Sequence, residues 1–235
     1  MNTMAALTAE DFSFELEAEE QSAIEGASRS EFAYHMLRIA LQRGVFKPGQ
    51  RLREVELSTA LNVSRTPIRE ALHRLANDGL LTISANKGVA VAQLDIQQVM
   101  ELYTMREILE GAAAGLAATR ASDMEVMLMQ QLLDEDRQSA ADDYARHALM
   151  NRRFHRTIYQ AAHNPYLLRS LDGLRDAMAL LGKTTLSDPT RWDTALEEHQ
   201  ALIDAIKHRD AAEAEKLARS HVQNALKERM KQFMQ

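Results

Sequence analysis

The spacing of apolar residues changes from a helical to a strand-like period within residues 57–91. Apolar residues recur at the spacing of one helical face over 57–61 and again over 68–75, and Ser64 is placed to cap the second helix. Residues 80–91 then alternate as two short strands around a turn. The pattern predicts a helix-turn-helix with a two-stranded wing, a motif that places the start of its second helix in the DNA major groove.

The outer side of the second predicted helix carries residue types that bind DNA. Arg65 and Arg69 are separated by about 40° around the helix axis, so both can address the same groove. Arginine pairs bidentately with guanine, and Ser64 and Thr66 can reach phosphate. Lys87 at the tip of the wing can reach the DNA backbone or the minor groove. The alternative interpretation is that these are solvated charges on a small α/β subdomain.

After the wing, the chain shows only helical periodicity, with no strand-like alternation and no internal repeat. Asp95 is placed to cap the first of these helices. The six predicted helices cover Ile96–Thr119, Ser122–Ser139, Asp142–Ala162, Tyr166–Thr185, Arg191–Lys207 and Ala211–Phe233. We therefore predict a mainly α protein, in which an N-terminal winged helix-turn-helix is followed by an all-helical antiparallel bundle.

Length and composition limit the kind of protein. The 235 residues leave room for two modest domains, and 46% apolar residues are enough for ordinary cores. Because there is no cysteine, disulfides and thiolate metal sites are excluded, which fits a reducing compartment. No apolar run reaches membrane-spanning length, and the N-terminus is acidic rather than a basic leader. We therefore expect a cytoplasmic protein without a membrane partner.

The formal net charge of −6 is unevenly distributed along the chain. Residues 1–28 contain seven acidic and no basic residues, whereas residues 29–92 contain ten basic and five acidic residues. Positive charge is thus concentrated where phosphate contact is predicted. We divide the chain into an acidic tail (1–28), a DNA-binding domain (29–94) and a helical domain (95–235). The tail is expected to be disordered, because it lacks the apolar residues to fold alone. A more specific hypothesis is that it competes electrostatically with DNA for the basic domain.

Three histidines fall on the apolar stripes of three different predicted helices. His155 follows Asn151 by four residues, so both project from one helical face. His199 and His221 are flanked by apolar residues one turn away. A single buried histidine is most often a hydrogen-bonded core residue. Three on three core faces favour a metal site, since neutral imidazole is the commonest protein metal ligand.

The segment Arg29–Ala92, which contains FKPGQRLREVELSTALNVSRTPIREALHRLANDGLLTI, resembles the DNA-binding domain of the GntR family of bacterial transcriptional regulators. The resemblance implies DNA contact at the positions that match the family's contacts, namely Arg65, Thr66, Arg69, Asn86, Lys87 and Gly88. Many members carry a further DNA-contacting arginine where this chain has Val55. Arg53, two residues earlier, is a candidate to replace it.

Ile96–Gln235 is similar to the all-helical effector domain of the FadR-like branch of this family, called the FCD domain. Many FCD domains bind a divalent metal through an Asp or Asn, a His four residues later, and two His on the last two helices. The resemblance implies that the ligands here are Asn151, His155, His199 and His221. A neutral amide is a weaker ligand than a carboxylate for a hard cation. Zinc is the first expectation, and nickel and manganese remain possible.

In such domains the metal leaves open positions that a small carboxylate effector completes. Arg106 lies on a predicted helix that is otherwise apolar on its inner side, and a guanidinium can hold a carboxylate through two parallel hydrogen bonds. Because the family places an arginine on this helix near the pocket, Arg106 is the predicted effector-binding residue. The alternative is an intrahelical ion pair with Glu110, four residues later.

These observations favour a DNA-binding transcriptional regulator, not an enzyme, with repression relieved by a small organic acid as the commoner arrangement in the family. One helix-turn-helix covers only a few base pairs, so we expect a homodimer on an inverted repeat. A metalloenzyme is one alternative. Against it, a di-iron helical bundle needs paired Glu-x-x-His motifs. The only such spacing, Glu70 and His73, falls in the second helix of the helix-turn-helix. An architectural DNA-binding protein with a structural metal is another.

Overall fold

The computed structural model describes residues 7–84, 86, 88–140, 142–182 and 184–233. Within these ranges, helices account for most of the regular structure, which confirms the predicted mainly α fold. The helices are α1 (Ala18–Ile24), α2 (Arg29–Gln42), α3 (Glu54–Ala60), α4 (Arg65–Asn77), α5 (Ile96–Arg120), α6 (Asp123–Arg137), α7 (Tyr144–Ala161), α8 (Pro165–Ala179), α9 (Pro189–Lys207) and α10 (Ala211–Phe233). The strands are β1 (Arg51–Leu52), β2 (Leu81–Ser84) and β3 (Gly88–Val91).

The chain divides into two compact units at the junction of Leu94 and Asp95. Unit 1 contains the N-terminal part together with Arg175–Gly182, and unit 2 contains the rest of the helical part. The sequence predicts residues 175–182 as part of the helical domain, whereas the structure groups them with unit 1. None of the helices in the described ranges combines the length and apolar character needed to cross a membrane.

The predicted helix-turn-helix is formed by α3 and α4. Asn62, in a left-handed conformation with a φ of 52°, turns the chain between the two helices. Ile68 and Leu72 bury the inner side of α4. Ser64 occupies the N-cap position of α4 as predicted, but its exposed hydroxyl makes no capping hydrogen bond. That hydroxyl is therefore available to another acceptor or donor.

The predicted wing is the hairpin of β2 and β3. Its strands pair antiparallel in the register Leu81↔Val91 and Ser84↔Gly88. β1 pairs with the other edge of β3, which gives the strand order β1-β3-β2. Gly88 has a φ of 74°, in the left-handed region that favours glycine. No described atom lies within 4 Å of the place that a Cβ would take, so backbone conformation rather than crowding favours glycine here.

The acidic N-terminal segment departs from the sequence prediction. A 3₁₀-helix covers Ala9–Phe12 and α1 follows it, in a segment that the sequence predicts to be a disordered tail. Phe12 is buried against Phe46, with ring centroids 6.0 Å apart. The prediction of disorder rests on the low apolar content of the segment itself, whereas Phe12 packs on apolar surface supplied elsewhere in unit 1. Residues 1–6 lie outside the described ranges.

In unit 2 the helices begin and end close to the predicted positions. Asp95 caps α5 by accepting a hydrogen bond from the Gln98 amide at 2.8 Å. The larger departure is the predicted helix Tyr166–Thr185. Its counterpart α8, whose last residues belong to unit 1, ends at Ala179, and Gly182, with a φ of 75°, follows its last turn. The interior is filled by large apolar side chains, among them Met129, Leu133, Phe154, Ile158 and Ile203. This packing fixes the helix faces that carry the histidines.

Candidate nucleic-acid interface and metal centre

The first turns of α4 present two arginines to solvent, and both contact one carboxylate. The side chains of Arg65 and Arg69 are 61% and 57% exposed. Arg69 donates to Glu54 from Nε at 2.9 Å and from Nη2 at 2.8 Å, and Arg65 donates from Nη2 at 3.4 Å. The hydrogen bond from Arg69 is the main reason that the pKa of Glu54 lies below its usual value. Sequence reasoning selected the two arginines and missed Glu54, which holds them side by side.

An open groove of about 590 Å³ runs beside these arginines. Its lining comes from the starts of α3 and α4, namely Arg53, Glu54, Val55, Glu56, Arg65 and Arg69. Arg53 thus reaches the same groove as the two α4 arginines, with its Nη1 donating to Glu56 at 3.1 Å. Val55, which is 58% exposed, adds an uncharged edge. The groove therefore holds three guanidinium groups and two carboxylates.

The other residues predicted to contact DNA are also at the surface of unit 1. Ser64 and Thr66 are exposed at the start of α4, and Asn86 and Gly88 are exposed in the wing. Lys87 lies outside the described residues. The structure thus leaves each described candidate accessible, and its contact with DNA stays a prediction.

In unit 2, α7, α9 and α10 each bring one histidine to a common centre. His155, His199 and His221 are buried, and their ring centroids are 4.9–5.2 Å apart. One nitrogen from each ring lies within 4.8 Å of the others. Nε2 of His155 and of His199 is buried without a hydrogen-bond partner among the described residues. Because buried polar atoms are normally paired, these nitrogens indicate a partner such as a metal ion.

The protonation of this centre suits metal binding. Burial lowers the pKa of His155 to about 3. Burial, together with the two neighbouring histidines, also lowers the pKa of His199 well below its usual value. Both rings are therefore neutral at pH 7 and have a lone pair available. Zinc binds imidazole nitrogen at about 2.0–2.1 Å, so nitrogens that share one zinc ion are at most about 4.2 Å apart. The ring nitrogens, which lie within 4.8 Å of one another, are close to that spacing.

Two glutamates that sequence reasoning did not select contact the histidine centre. Glu110 Oε2 lies 3.4 Å from His155 Nδ1, and Glu198 Oε2 lies 2.7 Å from His221 Nδ1. Burial alone would raise the pKa of both carboxyls. The guanidinium of Arg106 instead holds the pKa of Glu110 below its usual value. For Glu198, the hydrogen bond to His221 contributes most to a pKa of about 2.

The two remaining candidates in unit 2 have different surroundings. Arg106 forms the ion pair that was the alternative to effector binding, with its Nε 2.7 Å from Glu110 Oε1 and both side chains buried. Asn151 is partly buried one turn before His155 on α7. Metal ligation by Asn151 and effector binding by Arg106 both stay predictions.

A small cavity of about 10 Å³ lies against the histidine centre. Glu110, His155 and His221 line it together with five apolar or aromatic residues. This volume corresponds to about one water molecule. A larger ligand therefore requires the surrounding side chains to move apart.

The other histidines of the bundle lie outside this centre. His147 is fully buried, with Nδ1 3.0 Å from Asp136 and its ring 4.2 Å from that of Trp192. His163 and His208 are exposed, and His208 is the C-cap of α9. The metal-ligand geometry is therefore confined, among the described histidines, to the three on α7, α9 and α10.

Two family models match the chain. Residues 29–91 match the model described as bacterial regulatory proteins, gntR family, and residues 101–224 match the model of the FCD domain. The chain belongs to the GntR family. Its winged helix-turn-helix is the DNA-binding domain of that family and its bundle is an FCD domain, as the resemblance implied.

Named relatives agree with this family assignment. The chain is 31% identical over 183 residues to the probable D-xylose utilization operon transcriptional repressor of Paenarthrobacter nicotinovorans, covering 77% of this chain and 80% of the relative. It is 26% identical over 206 residues to the HTH-type transcriptional repressor RspR of Escherichia coli, covering 86% and 89%. The solved structure of E. coli McbR/YncC matches with a TM-score of 0.78 at 25% identity, covering 88% and 99%. The GntR-family chain is thus a transcriptional regulator rather than an enzyme.

Proposed function

We propose that this GntR-family regulator is a repressor that binds an inverted-repeat operator as a homodimer and is released by a small organic acid bound at a metal ion in its FCD domain. The observation that carries the proposal is the meeting of three buried histidines, two of them with unpartnered nitrogens. Two relatives named as repressors support the direction of regulation.

The DNA-reading step uses the exposed arginines of α4. Arg65 and Arg69 enter the major groove and exchange their hydrogen bonds to Glu54 for bonds to guanine O6 and N7. Ser64 and Thr66 at the start of the same helix contact phosphate, and the wing follows the adjacent backbone. One domain covers only a few base pairs, so two copies on one operator supply the required specificity.

The metal is held by His155, His199 and His221, with Asn151 as the fourth candidate ligand. Zinc is the expected ion, because it accepts three imidazoles and leaves one tetrahedral position for either Asn151 or an exchangeable ligand that displaces it. Nickel and manganese are the alternatives that metal analysis would reveal. When bound, the ion supplies a positive charge and an open coordination position for a carboxylate.

The organic acid binds at this centre, with its carboxylate near the metal and Arg106. The cavity as it stands holds about one water, so the acid selects a form in which the chamber is wider. A ligand that binds one conformation more tightly shifts the population toward it. We propose that this shift changes the fit of the two reading helices on the operator and releases the DNA.

The DNA half is tested by selecting preferred sites from randomised duplexes and titrating the selected operator with full-length protein. We expect one inverted-repeat motif to emerge and Arg65→Ala to weaken binding to it. Lys216→Ala removes one positive charge from an exposed site in unit 2 and serves as the matched control, with unchanged affinity. Absence of any preferred sequence would contradict the proposal.

The sensor half is tested by metal analysis and a thermal-shift screen of carboxylates. Wild type should purify with one transition metal per chain, whereas His199→Ala should lose it. His163→Ala, at an exposed histidine outside the centre, should keep the metal. At least one acid should raise the melting temperature of metal-loaded protein, since a ligand that binds only the native state stabilises it. Metal retention by a protein that ignores every acid would indicate a structural ion instead.

A further inference from the structure

Two sets of contacts at the histidine centre each run from an arginine through a glutamate to a histidine. We call each set a relay, and the first joins α5 to α7. Oε1 of Glu110 accepts a hydrogen bond from Arg106 Nε at 2.7 Å. Oε2 lies at an ion-pair distance of 3.4 Å from His155 Nδ1 and makes no hydrogen bond with a described residue. Glu110 and Arg106 are 4% and 7% exposed, so this contact is shielded from water. With Nδ1 facing the glutamate, the free nitrogen of His155 is Nε2.

The second relay joins α9 and α10 and repeats the same order of groups. Glu198 Oε2 lies 2.7 Å from His221 Nδ1 and 2.8 Å from Nη1 of Arg191, whose side chain is 4% exposed. The other oxygen, Oε1, accepts from Asn224 at 2.7 Å. His221 Nδ1 is therefore committed to the glutamate, which leaves Nε2 as its remaining ring nitrogen.

The two relays share one consequence for the rings. A ring nitrogen that faces a carboxylate carries the proton, and the opposite nitrogen then carries the lone pair. Carboxylates behind metal-bound histidines are known to fix the tautomer and the ring orientation and to make the imidazole a stronger ligand. Both histidines in the relays present Nε2 rather than Nδ1 as the ligand atom.

We propose that Glu110 and Glu198 are positioning residues of the metal centre, each fixing one histidine as the Nδ1–H tautomer and directing its Nε2 at the ion. Arg106 and Arg191 act one step further out, by holding the two carboxylates in place. This inference rests on the metal site proposed above. It also assigns Arg106 a task that does not depend on any effector.

The composition of the proposed ligand set makes these glutamates especially important here. Three imidazoles and the amide of Asn151 are all neutral, so no proposed ligand brings a negative charge to a divalent ion. Glu110 and Glu198 provide the negative charges that contact those ligands. Their effect reaches the metal through the imidazole rings.

The test compares metal binding by wild type, Glu110→Gln and Glu198→Gln, with Zn²⁺ as the probe and a chelator as competitor. Each variant keeps the size of the side chain and removes its charge. We expect the dissociation constant for Zn²⁺ to rise about 10–100-fold in each. Glu197→Gln is the matched control, since Glu197 is exposed and adjacent to Glu198, and it should bind as wild type does.

A second readout separates positioning from general structural support. Long-range ¹H–¹⁵N spectra of the metal-free protein report the tautomer of each histidine. We expect His221 to be the Nδ1–H tautomer in wild type and a mixture of tautomers in Glu198→Gln.

If Glu110→Gln fails to fold because Arg106 is left unpaired, a double variant replaces it. Arg106→Met with Glu110→Gln removes both charges and should show the same loss of Zn²⁺ affinity.

The outcomes distinguish this inference from the proposed function. If wild type binds Zn²⁺ and His155→Ala does not, while both glutamate variants bind as tightly as wild type with unchanged tautomers, the positioning role is overturned and the metal site stands. If wild type binds no Zn²⁺, the metal site itself is overturned.

Discussion

Arginine–glutamate contacts serve the two units of this protein in opposite ways. In unit 1, Arg69 contacts Glu54 at the surface, and 57% of the arginine side chain remains exposed. In unit 2, Arg106 contacts Glu110 in the interior, and only 7% remains exposed. Exposed ion pairs contribute about 0–1 kcal/mol, so water, phosphate or a base can replace one partner at little cost. Breaking a buried pair costs several kcal/mol. The contact at the DNA-reading surface of α4 can therefore be replaced by a contact with DNA, whereas the contact at the metal centre stays fixed.

The largest expected effect comes from breaking the buried pair. Arg106→Met should leave Glu110 as an uncompensated buried charge and reduce the free energy of unfolding by about 3–5 kcal/mol. Arg69→Met should reduce it far less, because Arg69 is exposed and its carboxylate partner remains solvated. Chemical denaturation of the metal-free proteins measures both. Arg106→Met with Glu110→Met should recover most of the loss; equal costs for the two single substitutions would remove the contrast between the units.

The next effect concerns DNA rather than stability. Arg65→Ala and Arg69→Ala should each weaken binding to the selected operator by about 1–3 kcal/mol and relax preference at the base that each reads. Titration of operators with single base changes measures this. A uniform loss over all sequences would mean that these arginines contact only phosphate.

A smaller effect on DNA binding is expected from changing Glu54, which contacts both α4 arginines at the surface. Glu54→Gln removes a negative charge beside the DNA surface and loosens the orientation of both arginines. We expect non-specific DNA affinity to rise and discrimination between operator and random duplex to fall, with a stability change below about 1 kcal/mol. Glu213→Gln, at an exposed lysine partner in unit 2, is the control for a lost surface carboxylate. Undiminished discrimination would show that the arginines orient without Glu54.

The smallest effect is expected at the wing. Lys87→Ala should weaken binding to all sequences alike and lower the slope of log affinity against log salt by about 1. Salt titrations on operator and random duplex give both numbers. A change in sequence preference would mean that the wing reads bases.

The success of the sequence predictions depended on how far apart the interacting residues lie along the chain. Helical spacing was enough to place Arg65 with Arg69, and to place the three histidines on inner faces. The partner of those arginines is on α3, and the partner of His155 is on α5, so each contact depends on how two helices pack. Helical spacing identified Glu110 only as a possible partner of Arg106. A glutamate on a largely apolar stripe is the signal that could have identified it as a contact of the histidine centre.

The N-terminal segment also makes a contact with a distant part of the chain that its local sequence does not predict. Its acidic composition predicted disorder, but one aromatic side chain, Phe12, docks on Phe46 far along the chain. Composition measures what a segment can bury by itself and says nothing of surface offered elsewhere. Competition between this segment and DNA stays a hypothesis.

The most direct test of the central claim is an operator titration of full-length wild type and His199→Ala, each metal-loaded and metal-stripped, with and without the carboxylates that raise the melting temperature. We expect an acid that raises the melting temperature to weaken operator binding by metal-loaded wild type at least about 5-fold. The same acid should change nothing in the metal-stripped protein or in His199→Ala. Operator affinity that stays the same in all of these conditions would contradict control of the reading surface by the metal centre.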